Sequence, residues 1–177
     1  TAPGESGHSA GMNLDADIAL ALRLADAAGD AIRPHFRSGL TSERKGDATP
    51  VTLADRAAEE VMRRILTAEV PRDTVIGEEF GATAGTSARS WVLDPIDGTT
   101  SFLVGRPIFG TLIALVIEGW PVLGIIDQPI LGERWVGAAG RPTTLNGKPA
   151  RTRLCPTLAD ATLATTGPHY FDDHQGA

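Results

Sequence analysis

Between Trp91 and Thr100 the chain reads Trp-Val-Leu-Asp-Pro-Ile-Asp-Gly-Thr-Thr, and this stretch limits the fold more than any other. The apolar triplet from Trp91 to Leu93 predicts a buried strand that stops at Asp94. A second carboxylate, Asp97, follows three residues on, and then a glycine and two hydroxyls stand where a helix would open. Hard cations such as Mg²⁺ take oxygen ligands and keep some of their waters, so two carboxylates on a tight turn at a strand end can share such ions. Gly98 allows the backbone to approach a ligand closely, and the free N–H groups of a helix start favour phosphate. The same residues also suit a structural turn, because Asp-Gly between apolar runs is a hairpin signal and Asp-Pro initiates turns. On these ten residues alone the structural turn is the better reading; the rest of the chain shifts the balance.

The 177 residues can bury the core of one domain and make the start of another. The apolar share, 42%, is that of a soluble globular protein. A net charge of −6 without any basic block argues against nucleic acid, which calls for a Lys/Arg footprint. A small anionic substrate would need metal or backbone donors to offset that acidity. Cys155 is the only cysteine, which precludes an internal disulfide and fits a reducing compartment. There is no apolar run of bilayer-spanning length and no basic segment leading into an apolar one, so neither a membrane nor a secretory route is expected. The expected location is cytoplasmic.

Read in order, residues 1–11 are rich in Gly and Ser and predict a disordered tail or an expression scar. Ile18, Leu22, Ala25, Ala28 and Ile32 keep helical spacing and predict a helix over 15–36, with Asp15 or Asp17 at its start and Pro34 to end or kink it. Residues 41–45 are polar and partly extended, and 46–50 form a loop. A second helix is expected over 53–68, with Ala54, Ala58, Val61, Met62 and Ile65 on its buried stripe. Thr52 and Asp55 at its start make a capping-box-like pair. Asp73 to Ile76 predicts a strand ending at Gly77-Glu78-Glu79. Adjacent glutamates on a loop are usually solvated, but parallel placement of the two strand ends would bring Glu78 to the Asp94 turn. Residues 81–90 read as a flexible polar connection. Residues 109–117, 122–126 and 133–138 predict an antiparallel meander, with a turn over 118–121 and a hairpin at Asn146-Gly147. Trp120 and Trp135 are expected to pack. Ala161 to Thr166 predicts the first strand of a next unit, and His169 beyond it is expected to be structural or exposed.

Several of these segments together resemble the inositol monophosphatase superfamily. Asp94-Pro95-Ile96-Asp97-Gly98-Thr99-Thr100 is similar to its metal-binding motif, Gly77-Glu78-Glu79 to its upstream acidic partner, and Lys45 through Asp55 to a further segment. The stretches Phe109–Leu115, Pro121–Pro129 and Gly132–Trp135 are most similar to the histidinol-phosphate phosphatase branch. The resemblance runs from about Leu14 to Phe171. It implies an α/β (α+β) layered sandwich of the inositol monophosphatase/sugar phosphatase type, two helices packed on a mostly antiparallel sheet. The expected organisation is an amino-terminal metal-binding domain over 12–157 and the start of a truncated second domain over 158–177. It also implies Mg²⁺-dependent hydrolysis of a small phosphorylated metabolite, with two or three ions and Mn²⁺ as an alternative. Glu78, Asp94 and the carbonyl of Ile96 would hold one ion; Asp94 would bridge to a second, shared with Asp97. Glu78 and Thr99 would orient the attacking water, with Asp55 holding the Thr99 hydroxyl or a metal-bound water. Asp97, Gly98, Thr99 and Thr100 would bind the phosphate. Lys45 is expected near the mouth of the site, and a homodimer is expected.

Members of the family are longer and add a carboxylate from a Trp-Asp motif; no Trp-Asp pair occurs in this chain. The expectation is a fragment, with a degenerate member as the alternative, and weak or no turnover by these residues alone. Histidinol phosphate is the expected substrate, and inositol phosphate or another small sugar phosphate is the second choice. A non-catalytic metal-binding or interaction module is the rival from another class.

Overall fold

Apolar residues at helical spacing build α1, Asp15–Ile32, whose buried side is Leu20, Ala21, Leu24, Ala25, Ala28 and Ile32. This is a computed structural model describing residues 13–38, 43–44, 50–51 and 53–164. The expected tail over 1–11, Lys45, Thr52 and His169 all lie outside them. The α-helix ends four residues before the predicted Phe36. Pro34 cannot donate to the helical ladder, and the chain tightens into a 3₁₀ turn over Arg33–His35. After the short antiparallel pair β1, Glu43–Arg44, and β2, Pro50–Val51, α2 spans Leu53–Glu69 and buries Ala54, Asp55, Ala58, Glu59, Met62 and Leu66. Val61 and Ile65, expected on that face, lie at its half-buried margin. Two carboxylates on a buried helix face need partners, and both belong to the site described below.

The other strands are β3, Thr74–Gly77; β4, Gly81–Thr83; β5, Arg89–Asp97; β6, Gly110–Ile117; β7, Trp120–Gln128; β8, Glu133–Ala138; β9, Thr144–Leu145; and β10, Lys148–Pro149. Among the described residues they form one eight-stranded sheet in the order β10-β9-β8-β7-β6-β5-β3-β4. β3 runs parallel to β5 and the other neighbours pair antiparallel. The mostly antiparallel sheet with two helices on it is the α+β architecture expected. Trp91, Leu93, Ile113, Leu115, Leu123 and Ile125 point to α1 and α2 and are at most 3% exposed. Alternation sends Val92 and Ile126 to the opposite face, where they are 36% and 50% exposed. That face is an apolar trough, also lined by Asp94, Leu112, Ala114 and Trp135.

Three expectations need correction. Residues 81–90 are not a loose connection. Gly81, at φ +68, folds the chain back along β3. The N–H groups of Thr86 and Ser87 both donate to the Arg72 carbonyl, at 2.7 and 2.9 Å. Trp120, expected among the packing residues, is 58% exposed, because the turn needs only Glu118 and Gly119, both at positive φ (51° and 82°), so β7 starts at once. Residues 161–164 form no strand, and Leu163 is 89% exposed; an edge strand needs a neighbour to bond to. Asn146-Gly147, at φ 49° and 76°, makes the expected hairpin between β9 and β10. No helix among the described residues is long and apolar enough to cross a membrane.

Candidate active site

The parallel register of β3 and β5 decides which acids meet. Ile76 lies beside Val92 and Gly77 beside Leu93, and the Glu78 N–H donates to the Leu93 carbonyl at 3.3 Å. Glu78 therefore leaves its strand next to Asp94. β5 does not stop at Asp94 as the sequence suggested. It continues through Pro95 to Asp97, with the register shifting between Asp94, opposite Leu112, and Asp97, opposite Gly110. Two residues, Pro95 and Ile96, thus oppose Thr111 alone, a β-bulge that redirects the strand. Proline is tolerated there because the bulge asks for no N–H from it. The fully buried Thr111 fixes the bend by donating its hydroxyl to the Pro95 carbonyl at 2.8 Å.

Gly98 follows at φ +92, where an added Cβ would be strained and lie 3.4 Å from the Ile108 carbonyl. The short helix α3, Thr99–Leu103, starts there. Its Phe102 ring stands edge-on to Phe109, centroids 5.1 Å apart at 87°, and Phe36 closes the trio at 5.7 and 5.6 Å. These rings seat the helix and so place Thr99, whose hydroxyl donates to the Ile96 carbonyl at 3.1 Å.

Asp94 is the electrostatic centre. Burial, then the charges of Glu78 and Asp97, a hydrogen-bonding contact with Glu78 and the charge of Asp55 push its pKa up to about 7. Its Oδ1 is buried without a hydrogen-bond partner. Asp55, 3% exposed, reaches the cluster from the first turn of α2. The structure thus brings together Asp55, Glu78, Asp94 and Asp97, with the Ile96 carbonyl and Thr99 beside them. The acids do not form a closed cage: among the described residues no three His, Cys, Asp or Glu side chains stand at metal-binding spacing. Carboxylates repel one another, and a cation among them reverses the sign of that interaction. An all-oxygen donor set with an orphaned buried oxygen fits a hard divalent ion.

Sequence reasoning missed two supports. One is Thr111, whose role depends on a strand sixteen positions from Pro95. The other is Glu59, fully buried on α2. Its Oε2 accepts the Glu79 N–H at 2.7 Å and its Oε1 the Phe80 N–H at 3.2 Å. The readable signal was the spacing of Glu59 and Arg63, four residues apart, although such a pair usually lies in solvent.

The profile of the inositol monophosphatase family matches residues 13–175. This chain belongs to that family. It is 50% identical over 162 residues to the chloroplastic bifunctional phosphatase IMPL2 of Arabidopsis thaliana, covering 90% of this chain and 47% of the relative. It is 40% identical over 158 residues to the histidinol-phosphatase of Chlorobaculum parvum, covering 89% and 61%. A solved inositol monophosphatase from Zymomonas mobilis superposes with a TM-score of 0.79 at 55% identity, covering 91% of this chain and 62% of that one. The chain thus spans roughly half to three fifths of the length of the family members it matches.

Proposed function

We propose that this family member works in hydrolysis of a phosphate monoester with Mg²⁺ as cofactor, and that L-histidinol phosphate is the substrate. One observation carries the reaction class: Glu78, Asp97 and Asp55 gather around Asp94, whose Oδ1 is buried without a hydrogen-bond partner. Glu78, Asp94 and the Ile96 carbonyl would hold one ion, and Asp94 with Asp97 a second; Mn²⁺ suits the same oxygens. Bound ions would supply positive charge for the attacking and leaving oxygens and a lower pKa for a coordinated water. The chain's own groups do the rest. Glu78 and Thr99 would orient the water and Asp55 would hold the Thr99 hydroxyl or a metal-bound water, while Asp97 and the N–H groups of Gly98, Thr99 and Thr100 would bind the phosphate.

The name of the Chlorobaculum relative supports the substrate, as do the segments of β6 to β8. The Zymomonas neighbour favours a second reading, an inositol phosphate or another small sugar phosphate. We further propose that the apolar trough beside Asp94 is covered by the length that the relatives have and these residues lack, which would bring the remaining acid and the substrate pocket. A cytoplasmic homodimer is part of the same proposal.

The test is phosphate release by the longest encoded form of this protein, offered L-histidinol phosphate and myo-inositol 1-phosphate with Mg²⁺ and then with EDTA. A strong preference for histidinol phosphate, abolished by EDTA, is expected. Preference for the inositol ester would overturn the substrate and keep the site. Inactivity on both, together with no Mg²⁺ binding, would favour a non-catalytic module.

A further inference from the structure

Helix α2 meets the turn between β3 and β4 through one buried carboxylate. Glu59 is 0% exposed, and its oxygens receive the N–H groups of Glu79 and Phe80. Arg63, one turn on, donates its Nε to Glu59 Oε1 at 2.7 Å. The same guanidinium reaches the Thr83 hydroxyl at 3.0 Å and the Gly81 carbonyl. Glu59 and Arg63 thus clasp the turn by its backbone.

Gly77 shows how closely the clasp fits. A Cβ there would lie 2.0 Å from Glu59 Oε1 and 2.3 Å from its Cδ, so the carboxylate occupies the space a side chain at 77 would take. Glu78 stands between this glycine and the held N–H of Glu79, and its own N–H is tied to Leu93. Its backbone is fixed on both sides while its side chain stays exposed. Asp55, which adds to the charge around Asp94, precedes Glu59 by four residues, on the same face of α2. One rigid helix therefore presents Asp55 to the cluster and aims Glu78 at it.

We propose that Glu59, braced by Arg63, is the positioning residue that sets Glu78 against Asp94 for divalent-cation binding. This rests on the metal-site reading above. A buried carboxylate is costly unless its hydrogen bonds are filled, and here they are filled by the turn that bears the ligand. Partners that orient a metal ligand typically contribute roughly 10–100-fold to metal affinity.

The experiment is Mn²⁺ titration calorimetry on the longest encoded form of this protein, with each variant held well below its own melting temperature. The proteins are wild type, Glu59→Gln, Arg63→Lys and Asp94→Asn. Asp73→Asn serves as a control, because it weakens a network at the opposite end of β3. Glu59→Gln keeps the shape but turns an amide NH₂ toward an N–H it used to accept. It is expected to weaken Mn²⁺ binding roughly 10–100-fold, with a smaller loss for Arg63→Lys and none for Asp73→Asn. Wild-type affinity in Glu59→Gln would overturn the assignment and leave the metal site standing. An equal loss in Asp73→Asn would overturn it as well, by showing that destabilisation alone moves the affinity. If Glu59→Gln does not fold, unchanged affinity in Arg63→Lys overturns it. No Mn²⁺ binding by wild type would overturn the metal reading and, with it, the role of Glu59.

Discussion

Asp94→Asn should make the metal-free chain more stable at alkaline pH while removing its affinity for cations. In the fold the Asp94 carboxyl ionises at about 7 instead of its ordinary 3.8, because burial and then Glu78, Asp97 and Asp55 disfavour its charge. At about 1.4 kcal/mol per pKa unit, that rise would correspond to about 4 kcal/mol for a fully enclosed group. Asp94 is only half-buried, and water screens charges that it can reach, so we expect about 1–2 kcal/mol. The direction follows from proton counting. Between pH 3.8 and about 7 the folded state holds a proton that the unfolded chain has released, so stability falls as pH rises and the penalty is complete above about 7. Asparagine has no such penalty. Urea unfolding in EDTA, followed by tryptophan fluorescence, should show a small difference between the two proteins near pH 5 and the full gain of about 1–2 kcal/mol near pH 8.5 at unchanged m-value. Saturating Mg²⁺ should reverse the order by stabilising wild type alone, by about 2.7 kcal/mol at a concentration one hundred times Kd. A variant less stable than wild type at pH 8.5 in EDTA, or a gain equal at both pH values, would refute the reasoning.

Three other substitutions test the frame around the site. Asp73→Ala removes the acceptor of Ser87 Oγ, Arg89 Nε and the buried Trp91 Nε1, at 2.7, 3.0 and 3.1 Å, and should cost about 3 kcal/mol in urea unfolding. Burial alone would raise the Asp73 pKa, but the hydrogen bonds from Ser87, Arg89 and Trp91 outweigh it and hold it below the ordinary value. Its contribution is therefore full above about pH 4 and lost as pH falls through the folded pKa, so an acid titration of Asp73→Ala should also show a shallower loss of stability than wild type. Thr111→Val leaves the Pro95 carbonyl without its donor and should cost about 1–2 kcal/mol, with weaker Mn²⁺ binding by calorimetry as the bulge relaxes. Gly98→Ala forces a Cβ into the left-handed region beside Ile108 and should cost about 1–3 kcal/mol, read as a fall in melting temperature.

Much of the frame was legible because it is periodic. The small and apolar residues of α1 recur at helical spacing, and the strands of the meander alternate or run apolar between turn pairs such as Asn146-Gly147. What escaped depends on partners far along the chain. Pro95 reads as a stop until Thr111 is seen to hold its carbonyl. β4 is exposed along its whole length, so no apolar pattern marked it; its strand character comes from a glycine turn and from β3 beside it.

The site divides along the same line. Asp94 and Asp97 share seven residues of one motif, and their local chemistry could be read directly. Glu78 joins them only because β3 and β5 are parallel and in that register, and Asp55 only because α2 packs across the sheet. Glu59 was the hardest to see, since a glutamate four residues before an arginine on an amphipathic helix reads as a solvated pair. Its burial makes physical sense only once the turn above Gly77 is in place to fill its hydrogen bonds. Four acids facing one another oppose folding, and neutral packing cannot aim them. The surrounding structure supplies the restraint: Glu59 below Glu78, Thr111 beneath the bulge and the phenylalanine trio behind Thr99. Alternation along β5 turns Asp94 outward with Val92, toward the apolar trough. Covering that trough would bury apolar surface and exclude water from Asp94, so any layer packed there would also strengthen the attraction between these acids and a cation.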